Sequence, residues 1–91
     1  MKYIYGKNIF LTGGSSGIGM ATAELFARSG YTVFSASRNP DMDRRGFDGG
    51  GEIVPVVLDV RDMNSVESAA MSVLSQADIG IVIHCAGMGI A

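Results

Sequence analysis

At 91 residues and 9.5 kDa the chain lies below the usual ~100–200 residues of a domain, so it holds one small domain or part of a larger one and excludes a two-domain enzyme. Hydrophobic residues at 47% against 18% charged exclude a disordered chain, and 7 Lys+Arg against 9 Asp+Glu leave no positive field for a phosphate backbone or an anionic membrane surface. A single cysteine, Cys85, excludes an internal disulfide and a cysteine-rich metal site; without a signal-like apolar stretch at the N-terminus, a soluble cytoplasmic protein with no nucleic-acid, membrane or metal partner is expected.

Along the chain, strand-like and helix-like segments alternate with glycine at the junctions. Asn8-Ile9-Phe10-Leu11-Thr12 is a short apolar run closed by Gly13-Gly14, the pattern of a strand buried on both faces. From Gly17 to Ser29, Ile18, Ala21, Leu25 and Phe26 recur at helical spacing, and Gly30 follows where a left-handed cap belongs. Thr32 to Ala36 predicts a second strand and Glu52 to Leu58 a third, where Pro55, which donates nothing to a ladder, allows an edge strand. Arg38 to Gly51, with Asn39-Pro40 and Gly49-Gly50-Gly51, reads as a mobile loop with at most one helical turn. Asp62 caps a second helix running to about Gln76, with Val66, Ala69, Ala70, Val73, Leu74 and Ala77 as its apolar stripe. Ile79 to His84 predicts a fourth strand, ending at Ala86-Gly87. The order β-α-β-loop-β-α-β implies an α/β fold, a parallel sheet wound right-handedly.

The most informative segment is Thr12-Gly13-Gly14-Ser15-Ser16-Gly17-Ile18-Gly19, between the first strand and the first helix. Unpaired N–H groups at a helix start, with the positive end of its dipole, accept a diphosphate wherever no side chain blocks the approach. Gly13 permits the sharp exit from the strand, Gly17 a close approach to the ligand, and Gly19 tight packing of helix on strand. Ser15 and Ser16 add hydroxyl donors.

Thr12, Gly13, Gly17 and Gly19, with Ile18 between the last two, give the chain a form that resembles the Thr-Gly-x-x-x-Gly-x-Gly loop of the short-chain dehydrogenase/reductase family. Asp59-Val60 is similar to the family's Asp-Val pair, whose aspartate bonds the adenine amino group while the next residue packs on the ring. Ala86 and Gly87 match the end of the family's Asn-Asn-Ala-Gly stretch near the adenosine ribose, whereas His84 and Cys85 depart from its start. Residues 1–91 then form a single, partial NAD(P)-binding domain, the N-terminal portion of a Rossmann-like doubly wound sheet with its four strands in the order 3-2-1-4. The resemblance implies an oxidoreductase that moves hydride between an alcohol or carbonyl substrate and a nicotinamide cofactor, and that is a homo-oligomer when intact.

Two expectations refine that picture. The acid that bonds the ribose 2′-OH in NAD sites is replaced at the end of the second strand by Ser37 and Arg38; a guanidinium takes a 2′-phosphate, so NADP(H) is preferred, with NAD the alternative. The family's catalytic serine and Tyr-x-x-x-Lys pair are expected to lie outside these residues, which leaves no catalytic residue here and predicts an inactive chain when taken alone. His84 is expected to be a buried, satisfied histidine and Cys85 a small buried hydrophobe. The open edge of the fourth strand invites self-association. The competing reading is a non-catalytic nucleotide-binding or interaction module.

Overall fold

The computed structural model describes residues 6–13, 17–38, 43–59 and 61–85. Its elements are β1 (Asn8–Thr12), α1 (Gly17–Arg28), β2 (Thr32–Ser37), β3 (Arg45–Gly46), β4 (Glu52–Val57), α2 (Met63–Gln76) and β5 (Ile81–His84). They build one sheet in the order β3-β4-β2-β1-β5. The inner pairings are all parallel, with Phe10 opposite Phe34 and Val82, and Phe34 opposite Val54.

Alternation along each strand divides the apolar side chains between two cores. Ile9, Leu11, Val33 and Ile53 point to one face, where they meet Ala23 and Ala27 of α1. Phe34, Ala36, Val54 and Val56 point to the other, where they meet Ala69 and Val73 of α2. Strands covered on both faces need apolar residues at both parities, which is why these segments read as continuous apolar runs. The result is the expected Rossmann-like, doubly wound architecture, and β4-β2-β1-β5 reproduces the expected 3-2-1-4 order.

Three details depart from the sequence reading. The segment between β2 and β4 is not simply a loop: Arg45 and Gly46 pair antiparallel with Ile53 and Glu52, so the sheet is mixed and β3 is its outer strand. The returning turn is closed by the Phe47 N–H on the Gly51 carbonyl at 2.8 Å, and Gly49 and Gly50 supply the two left-handed residues it requires. The buried stripe of α1 is Gly19, Ala23 and Ala27, whereas Ile18 and Leu25 are 67% and 63% exposed. Small residues at a four-residue repeat let the helix axis approach the sheet more closely than long side chains allow, so size overrides hydrophobicity here. On α2, likewise, Ala69 and Val73 are buried but Ala70 and Leu74 are exposed.

Pro55 sits where the ladder tolerates it. The Glu52 and Leu58 N–H groups donate inward to the carbonyls of Tyr31 and Ser37 at 3.1 and 2.8 Å. Pro55 has the opposite parity, so its nitrogen turns to the outer edge, beyond the reach of the two-residue β3.

Candidate functional site

Four parallel strands deliver Thr12-Gly13, Ser37-Arg38, Leu58-Asp59 and His84-Cys85 to one edge of the sheet. From β1 the chain crosses through α1 to β2 on one side, and from β4 it returns through α2 to β5 on the other. The winding therefore reverses beside β1, and the carboxyl-end crevice at such a reversal is where open α/β sheets hold ligands.

The glycine turn opens this crevice. Gly13 has φ +80°, and its N–H donates to the Ala36 carbonyl at 3.0 Å, which ties the exit of β1 to β2. Gly17 begins α1 on the exposed side, and a β-carbon built there meets no atom within 4 Å, so the helix start is open to an approaching group. Gly19 is buried. Ile18 is exposed. Ser15 and Ser16 lie outside the described residues, as do Val60, Ala86 and Gly87.

Ser37 ends β2 half-buried, and the next residue, Arg38, is exposed. Arg44 and Arg45, the other basic residues of that segment, are committed elsewhere: Arg44 pairs with Glu52 at 2.6 Å, and Arg45 pairs with Glu24 while stacking on Phe47.

Asp59, one residue past the end of the Leu58 ladder bond, is fixed from several directions. Its N–H donates to Ser65 Oγ at 2.9 Å, and its carbonyl accepts the Asp62 N–H at 3.0 Å. Arg61 donates its backbone N–H and its Nε to Oδ1 at 3.0 and 3.1 Å, and its Nη2 to Oδ2 at 3.2 Å. The Arg61 guanidinium, then its backbone N–H, hold the carboxyl below its usual range, and the more distant charge of Arg38 acts in the same direction. Arg61 was not singled out from the sequence, where a basic residue two positions after an aspartate is an unremarkable pattern.

His84 is a correction. It is exposed rather than buried, and its Nδ1 meets Thr12 Oγ1 at 2.5 Å across the β1–β5 pairing. The partner comes from a residue 72 positions away that only the sheet register brings alongside. Cys85 is half-buried, packed against the α1-side core, with its N–H on the Thr12 carbonyl at 2.9 Å. A second correction concerns Tyr3 and Lys7, which do have Tyr-x-x-x-Lys spacing although none was expected. Lys7 immediately precedes β1, and its carbonyl accepts the Thr32 N–H. It thus lies at the amino end of the sheet, a full strand length from the crevice, and cannot act there; Tyr3 lies outside the described residues.

The family profile for short chain dehydrogenase matches residues 7–91. The chain is 34% identical to the short chain dehydrogenase pigC of Monascus ruber over 91% of its own length and 31% of that protein's. It is 35% identical to a 3-ketodihydrosphingosine reductase of Bacteroides thetaiotaomicron over 90% of this chain and 29% of the relative. Its backbone superposes with a TM-score of 0.78, at 26% identity, on a short-chain type dehydrogenase/reductase from Mycobacterium ulcerans, covering 91% of this chain and 33% of that one. The fold and its crevice define an α/β protein of Rossmann type. The chain belongs to the short-chain dehydrogenase family, an oxidoreductase family whose members bind NAD(P). It spans about a third or less of the length of these relatives. No helix among the described residues is long and apolar enough to cross a membrane.

Proposed function

We propose that these residues are the nucleotide-binding portion of an NADP(H)-dependent oxidoreductase that interconverts an alcohol and a carbonyl. The observation that carries the cofactor preference is Arg38, exposed at the carboxyl end of β2 where an NAD site places an acid. When bound, the nicotinamide would supply or accept the hydride. The residues present fit such a group: the open approach at Gly17 and the left-handed turn at Gly13 suit a diphosphate, to which Ser15, Ser16 and Ile18 of the same loop sequence would add contacts. Ser37 and Arg38 would take the 2′-phosphate, Asp59 and Val60 the adenine, and Ala86 and Gly87 the adenosine ribose. Among the described residues, the crevice brings together no serine and Tyr-x-x-x-Lys set, and on this reading these residues taken alone would bind nucleotide without turning over substrate.

Titration with NADPH and NADH tests the reading. Arg38→Ala should weaken NADPH much more than NADH, and Ser37→Asp should reverse the preference. Equal losses for both nucleotides, or no binding of either, would overturn it. Intact, the enzyme is expected to be a cytoplasmic homo-oligomer. Among the described residues the outer edge of β5 has no partner strand, which supports self-association of these residues on their own; sedimentation velocity over a concentration series would reveal it.

A further inference from the structure

We infer that Arg61 is a positioning residue for adenine recognition: by occupying three of the four acceptor positions of the Asp59 carboxylate, it leaves one, on Oδ2, for a single N–H donor. This rests on the reading that Asp59 faces the adenine amino group.

A carboxylate offers about four lone-pair positions, two on each oxygen. Oδ1 receives both the backbone N–H and Nε of Arg61, and Oδ2 receives Nη2. Oδ1 is therefore saturated and Oδ2 half-used. Ser65 and Asp62 hold the backbone of Asp59 on either side, and Arg61, bridging both carboxylate oxygens, sets the plane of the carboxyl group. The side chain nevertheless keeps 31% of its surface open. An aspartate fixed in this way presents one directed acceptor at the sheet's carboxyl edge, adjoining the end of β2 that carries Arg38.

That geometry discriminates by base. The exocyclic amino group of adenine has an N–H to give, whereas hypoxanthine presents a carbonyl oxygen at the same position and is repelled by the carboxylate. Only a planar fork holds both oxygens at once, so a lysine, which keeps the charge, loses the orientation.

The test is a titration of the full chain with NADPH and with its hypoxanthine analogue, for the native protein and for Arg61→Lys and Arg61→Gln. Far-UV circular dichroism confirms the fold, which the exposed position of Arg61 should preserve. The native protein should prefer adenine, and both variants should lose that preference by roughly five- to tenfold, the scale of a charge-assisted hydrogen bond losing its geometry. Affinity for the hypoxanthine analogue should be unchanged in Arg61→Lys. An unaltered base preference in both variants, or equal losses for both nucleotides in Arg61→Lys, would overturn the role of Arg61 while leaving Asp59 in place. Absence of any base preference in the native protein would instead remove Asp59 from the adenine site, and the inference with it.

Discussion

Gly51 lies against the last turn of α1 so closely that a β-carbon on it would stand 1.8 Å from the carbonyl oxygen of Ala27. Both contacting groups are backbone, which has no rotamer through which to yield; the Tyr31 carbonyl closes the other side at 2.9 Å. Gly51→Ala is therefore expected to push α1 away from the β3–β4 turn and to destabilise by about 1–3 kcal/mol or more, the usual cost of overpacking. Gly46→Ala is the control, since nothing lies within 4 Å of its β-carbon position, and it should change stability by no more than about 0.5 kcal/mol. Urea unfolding of the two variants measures the difference.

A second prediction concerns the start of α2. Asp62 has an extended backbone, and its carboxylate accepts the Asn64 N–H at 3.0 Å, while the first turn carries no other acid. Asp62→Ala should therefore cost about 1 kcal/mol in urea unfolding, and Asp62→Asn, which retains the acceptor, clearly less. Equal losses in the two variants would show that charge on the helix dipole, rather than the hydrogen bond, supplies the stabilisation.

What the sequence made readable and what it hid separate along a physical line. The four parallel strands, the span of α2 and its Asp62 cap follow from periodicity and local chemistry, whereas β3 does not, and Gly13 and Gly30 were assigned conformations they do adopt. The buried face of α1 was misjudged because periodicity ranks side chains by hydrophobicity, while close packing on the sheet selected Gly19, Ala23 and Ala27 by size. Gly51 was one of three consecutive glycines with nothing local to distinguish the one pressed against Ala27 from the two that turn the chain. The Thr12–His84 pairing depends on a register between strands at opposite ends of the chain, which no local pattern encodes. The glycine turn, Arg38 and Asp59 could be placed at one edge from strand order alone, but Arg61 emerged only with side-chain geometry.

Acid should destabilise the fold through three carboxylates. Hydrogen bonds from Arg45, Arg44 and Arg61 hold Glu24, Glu52 and Asp59, respectively, below their ordinary range. A carboxylate whose folded pKa is depressed contributes stability that is fully present above its unfolded pKa and is lost as the pH falls through its folded one. The thermal midpoint should thus be insensitive to these groups above about pH 5 and decline below about pH 4. The pairs are largely exposed, so the slope should be shallow and shallower still in 1 M salt. Glu52→Gln should flatten it further, and an unchanged profile in that variant would remove the Arg44 pair from the account.

The hydrogen bond between Thr12 and His84 should control how firmly β5 is held. Thr12 joins the strand twice: its carbonyl accepts the Cys85 N–H at 2.9 Å, and its hydroxyl meets His84 Nδ1. Among the described residues β5 has β1 as its one neighbouring strand, so its carboxyl end depends on these contacts more than β2, paired on both sides, depends on any single one. Thr12→Val preserves the shape of the side chain and removes only the hydroxyl, at a cost of about 0.5–1.5 kcal/mol. Amide hydrogen exchange should then accelerate at Cys85 and along Ile81–His84 while Val33 and Phe34 in β2 keep their protection, because local opening at a strand end draws on the least stable part of the sheet. His84→Ala should reproduce the pattern. Uniform acceleration across β1, β2 and β5 would mean that the pair stabilises the whole fold, whereas unchanged exchange at Cys85 would mean that the backbone bond alone holds this end of the strand beside the glycine turn.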